Sequence, residues 1–157
     1  MATHFTDYGA QSYTCRANWR TGISNGTGSN VLNTGWEQSY NQNSSIYSIG
    51  SGGVTTLIAG TFVVHWNIYS DNFNTAGGYV QEYIQQGGVD TVESYAIRRV
   101  VQATGSHWQR TMHSTILKCS STNVVHTLRF NRSDGDYDIY NGANDTLIYM
   151  TYISPST

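Results

Sequence analysis

Residues 61–69 read TFVVHWNIY, and their alternation decides the fold. Phe62, Val64, Trp66 and Ile68 fall on one face of an extended chain, and Val63, His65, Asn67 and Tyr69 fall on the other. This is the period-two pattern of a strand with a large aromatic and aliphatic inner face. Asn123–Phe130 repeats it, with Val124, His126, Leu128 and Phe130 alternating with Val125, Thr127 and Arg129. Residues 108–118 alternate Trp108, Arg110, Met112, Ser114 and Ile116 against Gln109, Thr111, His113, Thr115 and Leu117, a pattern that leaves the inner face open. The run Thr146–Ile153 is rich in aromatic and β-branched residues, as expected of a strand deep in a sandwich or covered by a partner subunit.

Weaker strands are expected at 12–20, 31–36, 45–49, 53–58, 79–85, 92–101 and 135–140. Turn-rich segments lie at Gly22–Asn30, Tyr40–Ser45, Gly50–Gly53, Ser70–Gly78, Gln85–Gly88, Asn131–Gly135 and Tyr140–Asp145. Turn signals recur roughly every 8 to 15 residues, the spacing of a multi-stranded sandwich or barrel. Val89, Val92, Glu93, Ala96, Ile97 and Val100 also trace a partial helical stripe with Asp90 as a cap. Strand is favoured there because Tyr95, Ile97 and the Val100–Val101 pair fit it as well. The sole proline, Pro155, interrupts no proposed strand. The 157 residues are read as one all-β domain, a two-sheet antiparallel sandwich of the compact jelly-roll kind.

Composition narrows the function classes. Charged residues make up only 11% and the net charge is -2, so solubility rests on neutral polar groups. Such a surface points to the outside of a cell or to the surface of a virion or cell. Eight Lys and Arg form no basic stripe, and Arg98–Arg99 and the isolated Arg16 and Arg20 do not supply the phosphate contacts of nucleic-acid binding. No apolar run reaches the roughly 18 residues of a spanning helix, and MATHFTDYGA shows no leader pattern, so membrane insertion is not expected. Cys15 and Cys119 either close a loop of about 100 residues or remain buried thiols.

Catalytic patterns are absent. The five histidines, His4, His65, His107, His113 and His126, form no HExxH or His-x-His pair, and no Gly-x-Ser-x-Gly elbow occurs. The ten acidic residues fall mostly in turns, with no marked pair for glycoside hydrolysis. An enzyme is therefore not expected, and no cofactor is required. Asp134, Asp136 and Asp138 in SDGDYD are the weak candidates for calcium, against a plain Asp134–Gly135 turn. Asn25, Asn43, Asn131 and Asn144 head Asn-x-Ser/Thr triplets.

IYSIGSGGVTTLIAGTFVVHWNIY, residues 46–69, places Gly60, Thr61 and Phe62 as a Gly-x-aromatic entry to the long strand, and Thr146–Ile153 supplies an apolar last strand. These stretches resemble the C1q and tumour-necrosis-factor superfamily of jelly rolls. The Asn, Thr, Gly and Ser richness is similar to viral, phage and bacterial surface members. The resemblance implies a homotrimer with an aromatic-lined axis that binds ligand or receptor through loops and subunit grooves.

Two functions follow as expectations. One is an oligomeric, lectin-like recognition domain for a cell-surface glycan or protein, and the other is a structural capsid or surface-fibre component. Tyr and Trp carry large contact area with a polar handle. Trp36, Tyr79, Tyr83 and Trp108 are the expected binding residues, and Tyr149, Tyr152 and His126 the expected oligomer-interface residues. Tyr149 and Tyr152 must lie on opposite faces of their strand.

Overall fold

The computed structural model describes residues 13–71, 78–99, 109–141 and 146–155. The strands are β1 (Thr14–Trp19), β2 (Ile23–Leu32), β3 (Trp36–Asn41), β4 (Tyr47–Gly50), β5 (Gly53–Thr56), β6 (Gly60–Asp71), β7 (Tyr79–Gln86), β8 (Val89–Asp90), β9 (Ala96–Arg99), β10 (Gln109–Cys119), β11 (Val124–Ile139) and β12 (Leu147–Ser154). One layer runs β3–β1–β12–β6–β10. The other is built on β11, with β5 and β2 along one edge, β7 along the other, β4 beyond β5, and β8 and β9 beyond β7. Every described pairing is antiparallel. The ladders join where Asp138 and Ile139 of β11 pair with Asp71 and Ser70 at the end of β6.

Between the layers lies the core. Phe62, Val64, Trp66 and Ile68 from β6, with Ile148 and Met150 from β12 and Leu117 from β10, are buried along with Val80, Ile84, Leu128 and Phe130 from the facing layer. Each such side chain contributes about 1.5–3 kcal/mol through burial. The alternation read in TFVVHWNIY is the alternation observed. Gly60 is required by packing, because a Cβ there would lie 2.6 Å from the Tyr152 ring and 2.9 Å from the Ser154 carbonyl oxygen.

Several expectations are corrected. Gly22–Asn30 is largely strand, not turn: Gly26 and Gly28 sit in β2, which is held through the β11 ladder from Leu128↔Leu32 to Ile139↔Ile23. Asn131–Gly135 is not a hairpin turn either. Asn131 pairs with Ser29 and Asp136 with Thr27, so the intervening residues of β11 form a bulge, with Gly135 at φ 75°. Within 89–101, strand gives way to a short 3-10 turn at Val92–Ser94 and resumes at β9. Cys15 and Cys119 are both free and buried.

Candidate functional site

The outward face of the β3–β1–β12–β6–β10 layer carries one continuous transverse row. Tyr40, Arg16, Tyr149, His65 and Ser114 are successive register partners across its five strands. Tyr149 stands between two rings, with Tyr40 at 6.2 Å edge-on and His65 at 5.8 Å. Burial, followed by hydrogen bonding to Tyr149, pushes the Tyr40 hydroxyl up to about 12.

On either side run more apolar rows: Leu147, Asn67 and Met112, and Thr151, Val63 and Ile116. Met112 is 77% exposed and Ile116 58%, although both belong to the interior of a regular strand. A depression of about 320 Å³ opens here, lined in part by His65, Asn67, Arg110, Met112, Ser114 and Leu147. The ambiguity of residues 108–118 is thereby resolved. Thr111, His113, Thr115 and Leu117 face inward, and the larger apolar pair Met112 and Ile116 faces out.

The opposite layer presents a different outer surface. Tyr83 on β7 stacks on Tyr95 with ring centroids 5.0 Å apart, and the Arg129 guanidinium lies 5.8 Å from the Tyr83 ring. Arg129 also pairs with Asp90 and donates from Nε to Ser29 Oγ at 2.7 Å. Gln85 donates to the other Asp90 oxygen at 2.7 Å. Asn131 donates to Gln81 at 2.7 Å, and Gln81 donates to the Tyr95 hydroxyl at 3.1 Å. Burial, then the neighbouring Tyr95 and Asp90, raises the Tyr83 pKa.

Two polar clusters lie between the layers. Glu82 points inward from β7 and is 1% exposed. Its carboxylate oxygens both lie 2.7 Å from the Thr111 hydroxyl and one lies 3.1 Å from His113 Nε2, while the His113 ring packs 5.1 Å from Trp66. A buried carboxylate needs such partners to offset its desolvation. At the other cluster, His126 Nε2 lies 3.1 Å from Thr56 Oγ1, which is 3.5 Å from Cys119 Sγ. Burial lowers the His126 pKa to about 4, so the ring is neutral, and its Nδ1 is buried without a hydrogen-bond partner. All three side chains are buried, so the Cys119, Thr56 and His126 constellation offers no path for a substrate.

Of the expected binding residues, Tyr79 and Tyr83 lie on β7, with Tyr79 half-exposed. Trp36 is corrected: it is 3% exposed and its indole N–H donates to the Leu32 carbonyl, because it closes the core beneath the β3 start. Trp108 lies outside the described residues. Tyr149 is on the outward face. Tyr152 is corrected to the core side, its ring 5.5 Å edge-on from Phe62. His126 is likewise corrected, since full burial within the protomer removes it from any subunit interface. Asp134, Asp136 and Asp138 belong to β11, and among the described residues no three His, Cys, Asp or Glu side chains come together to hold a metal.

Comparison with solved structures settles the fold. Crystal structures of murine APRIL at pH 8.5 and pH 8.0 superpose with a TM-score of 0.65 at 7% and 8% identity, covering 90% of this chain and 98% of theirs. The structure of Eiger TNF from S. frugiperda gives a TM-score of 0.61 at 9% identity, covering 92% of this chain and 94% of that one. The fold is the tumour-necrosis-factor-like jelly roll. No protein-family model and no curated protein sequence matches the chain. The jelly-roll likeness therefore rests on backbone geometry, and the outward rows are this chain's own chemistry.

Sequence reading missed Met112, Ile116, Gln81, Asp90 and Tyr95 as surface features, while Arg129 fell on the outward side of its strand as expected. Alternation could have paired Gln81 with Tyr83 on one face of β7. The union with Arg129 and Asn131 depends on the β7–β11 register, which no local pattern encodes.

Proposed function

We propose that the chain is a self-associating recognition domain. In this reading it forms a homotrimer through the outward face of the β3–β1–β12–β6–β10 layer and binds a cell-surface glycan or protein, working outside the cell or on the surface of a virion or cell. The observation that carries this is the exposure of Met112 and Ile116 on the outward face of β10, the edge strand of this layer. Large apolar side chains exposed on one sheet face favour a covered state, because covering each removes apolar area from water. Tyr149, Tyr40 and His65 supply aromatic surface on the same face, in keeping with the aromatic-lined axis that the superfamily resemblance implies. The low charge of the chain fits an interface, where charged side chains are depleted.

Light scattering combined with native mass spectrometry tests the reading. The expected mass is three times the 17.4 kDa of one chain, and Met112→Lys with Ile116→Arg is expected to give a folded monomer. A monomeric parent protein in dilute buffer overturns it.

A further inference from the structure

The outer surface of the β2–β11–β7–β9 layer offers something that self-association does not use. Two register rows cross it side by side. One is Ile97, Gln81, Asn131 and Ser29, and the other is Tyr83, Arg129 and Val31, with Tyr95 stacked on Tyr83. From these we infer that the surface centred on Tyr95 is a binding site for a neutral carbohydrate. The inference rests on the reading of the chain as a recognition domain, and it adds the ligand class and the residues.

Three features of the surface match a pyranose. Tyr95 is 44% exposed and is held from below by the Tyr83 ring, so it is a supported aromatic platform for the apolar C–H face of a sugar. Beside it, planar amides lie in a fixed chain, Asn131 to Gln81 to the Tyr95 hydroxyl. Each amide has both donor and acceptor capacity beyond the bond it makes here, which suits neighbouring hydroxyls that must donate and accept at once. The arrangement is also set before any ligand arrives. Tyr95 follows the Val92–Ser94 turn, whose Ser94 hydroxyl accepts from Ile84 N–H at 2.7 Å, and Thr91 and Ser94 bond each other at 2.6 Å. Side chains already held in place lose little rotamer freedom on binding.

Charge selects among sugars. Arg129, whose guanidinium lies 5.8 Å from the Tyr83 ring, is paired with Asp90, which also accepts from Gln85. That ion pair is neutral in sum, so a neutral hexose suits it better than a sialylated or sulfated one. The surface is open and shallow, which makes single-site affinity weak and binding strongest when several copies act together.

Methyl β-D-galactopyranoside and methyl α-D-mannopyranoside are the probes, used free in saturation-transfer NMR on the full chain and as multivalent polymer conjugates in a surface assay. At least one is expected to bind, and Tyr95→Ala is expected to weaken it about tenfold, the scale of one lost aromatic stack. Tyr95→Phe retains the ring and is expected to lose less. Gln81→Ala is expected to weaken binding with unchanged circular dichroism and thermal midpoint. The inference is overturned if neither probe binds, if Tyr95→Ala binds as the parent does, or if only sialylated or sulfated conjugates bind. Free-sugar NMR does not need the oligomer, and scattering does not need the sugar. A monomer that binds sugar thus sinks the trimer alone, and a trimer that binds none sinks this site alone.

Discussion

Tyr149 and Tyr152, three residues apart on β12, stand on opposite faces of the same layer. Tyr152 packs edge-on against Phe62 at 5.5 Å and Tyr149 meets His65 at 5.8 Å on the outside. An odd separation on a strand requires this. The two tyrosines should therefore respond oppositely to truncation. Tyr152→Ala is expected to lower unfolding stability by about 2–4 kcal/mol in urea titration, because it leaves a void over Gly60. Tyr149→Ala is expected to change the stability of the protomer by less than about 1 kcal/mol while weakening self-association measured by sedimentation. Equal effects of both variants on stability would contradict the assignment.

Gly53 opens β5 at φ 134°, and a Cβ there would lie 2.2 Å from the His126 carbonyl oxygen. The collision is with backbone, which cannot rotate away. Gly53→Ala is expected to destabilise the fold by about 2 kcal/mol or more. Gly50, directly opposite Gly53 in the same β4–β5 hairpin, has open space around it, so Gly50→Ala should stay within about 0.5 kcal/mol of the parent. Thermal unfolding of the pair reads the contrast directly.

His126 makes the protein acid-sensitive. Burial holds its folded-state pKa at about 4 against an ordinary value of 6.5. The unfolded chain thus takes up a proton before the folded one does, and its contribution to stability is fully present above about 6.5 and falls as pH drops toward 4. The loss amounts to about 3 kcal/mol across that window and levels off below it. Urea midpoints of the parent and of His126→Gln, taken from pH 7 to pH 4, should converge as the pH falls. Parallel curves would show that His126 is already accessible to protons in the folded state.

How much of this was legible beforehand depends on where the information sits. The faces of β6 could be read because large apolar side chains alternate along it, and that alone fixes which side is buried, whereas β12 could be read as a strand but not by face, because large side chains occupy both of its sides. β2 could not be read, since its Gly26 and Gly28 carry turn propensity and the strand exists only through the β11 ladder. SDGDYD misled in the same way: a bulge and a hairpin share the same glycine and aspartate chemistry, and only the partner strand distinguishes them. Trp36 was misplaced because adjacency to a turn says nothing about which way a ring folds. The Tyr95 surface draws on β7, β11 and the segment after the 3-10 turn, so its assembly is a matter of register and not of any one stretch.

Cys15 and Cys119 report on the core from two layers of contact. Cys15 lies on β1 among core side chains, and burial pushes its thiol up to about 12, with a backbone hydrogen bond from Met150 acting weakly the other way. Cys119, at the end of β10, is buried beside Thr56. Thiolate is the reactive species, so Cys15 is protected both by exclusion of reagent and by protonation, and Cys119 by exclusion. Native protein is expected to gain no mass on brief treatment with iodoacetamide at pH 8, and protein in concentrated guanidinium without reductant is expected to gain two alkyl groups. Labelling of one site in the native state would mean that its strand opens locally. No labelling after unfolding would mean that the two thiols are joined, contrary to the free cysteines of this fold.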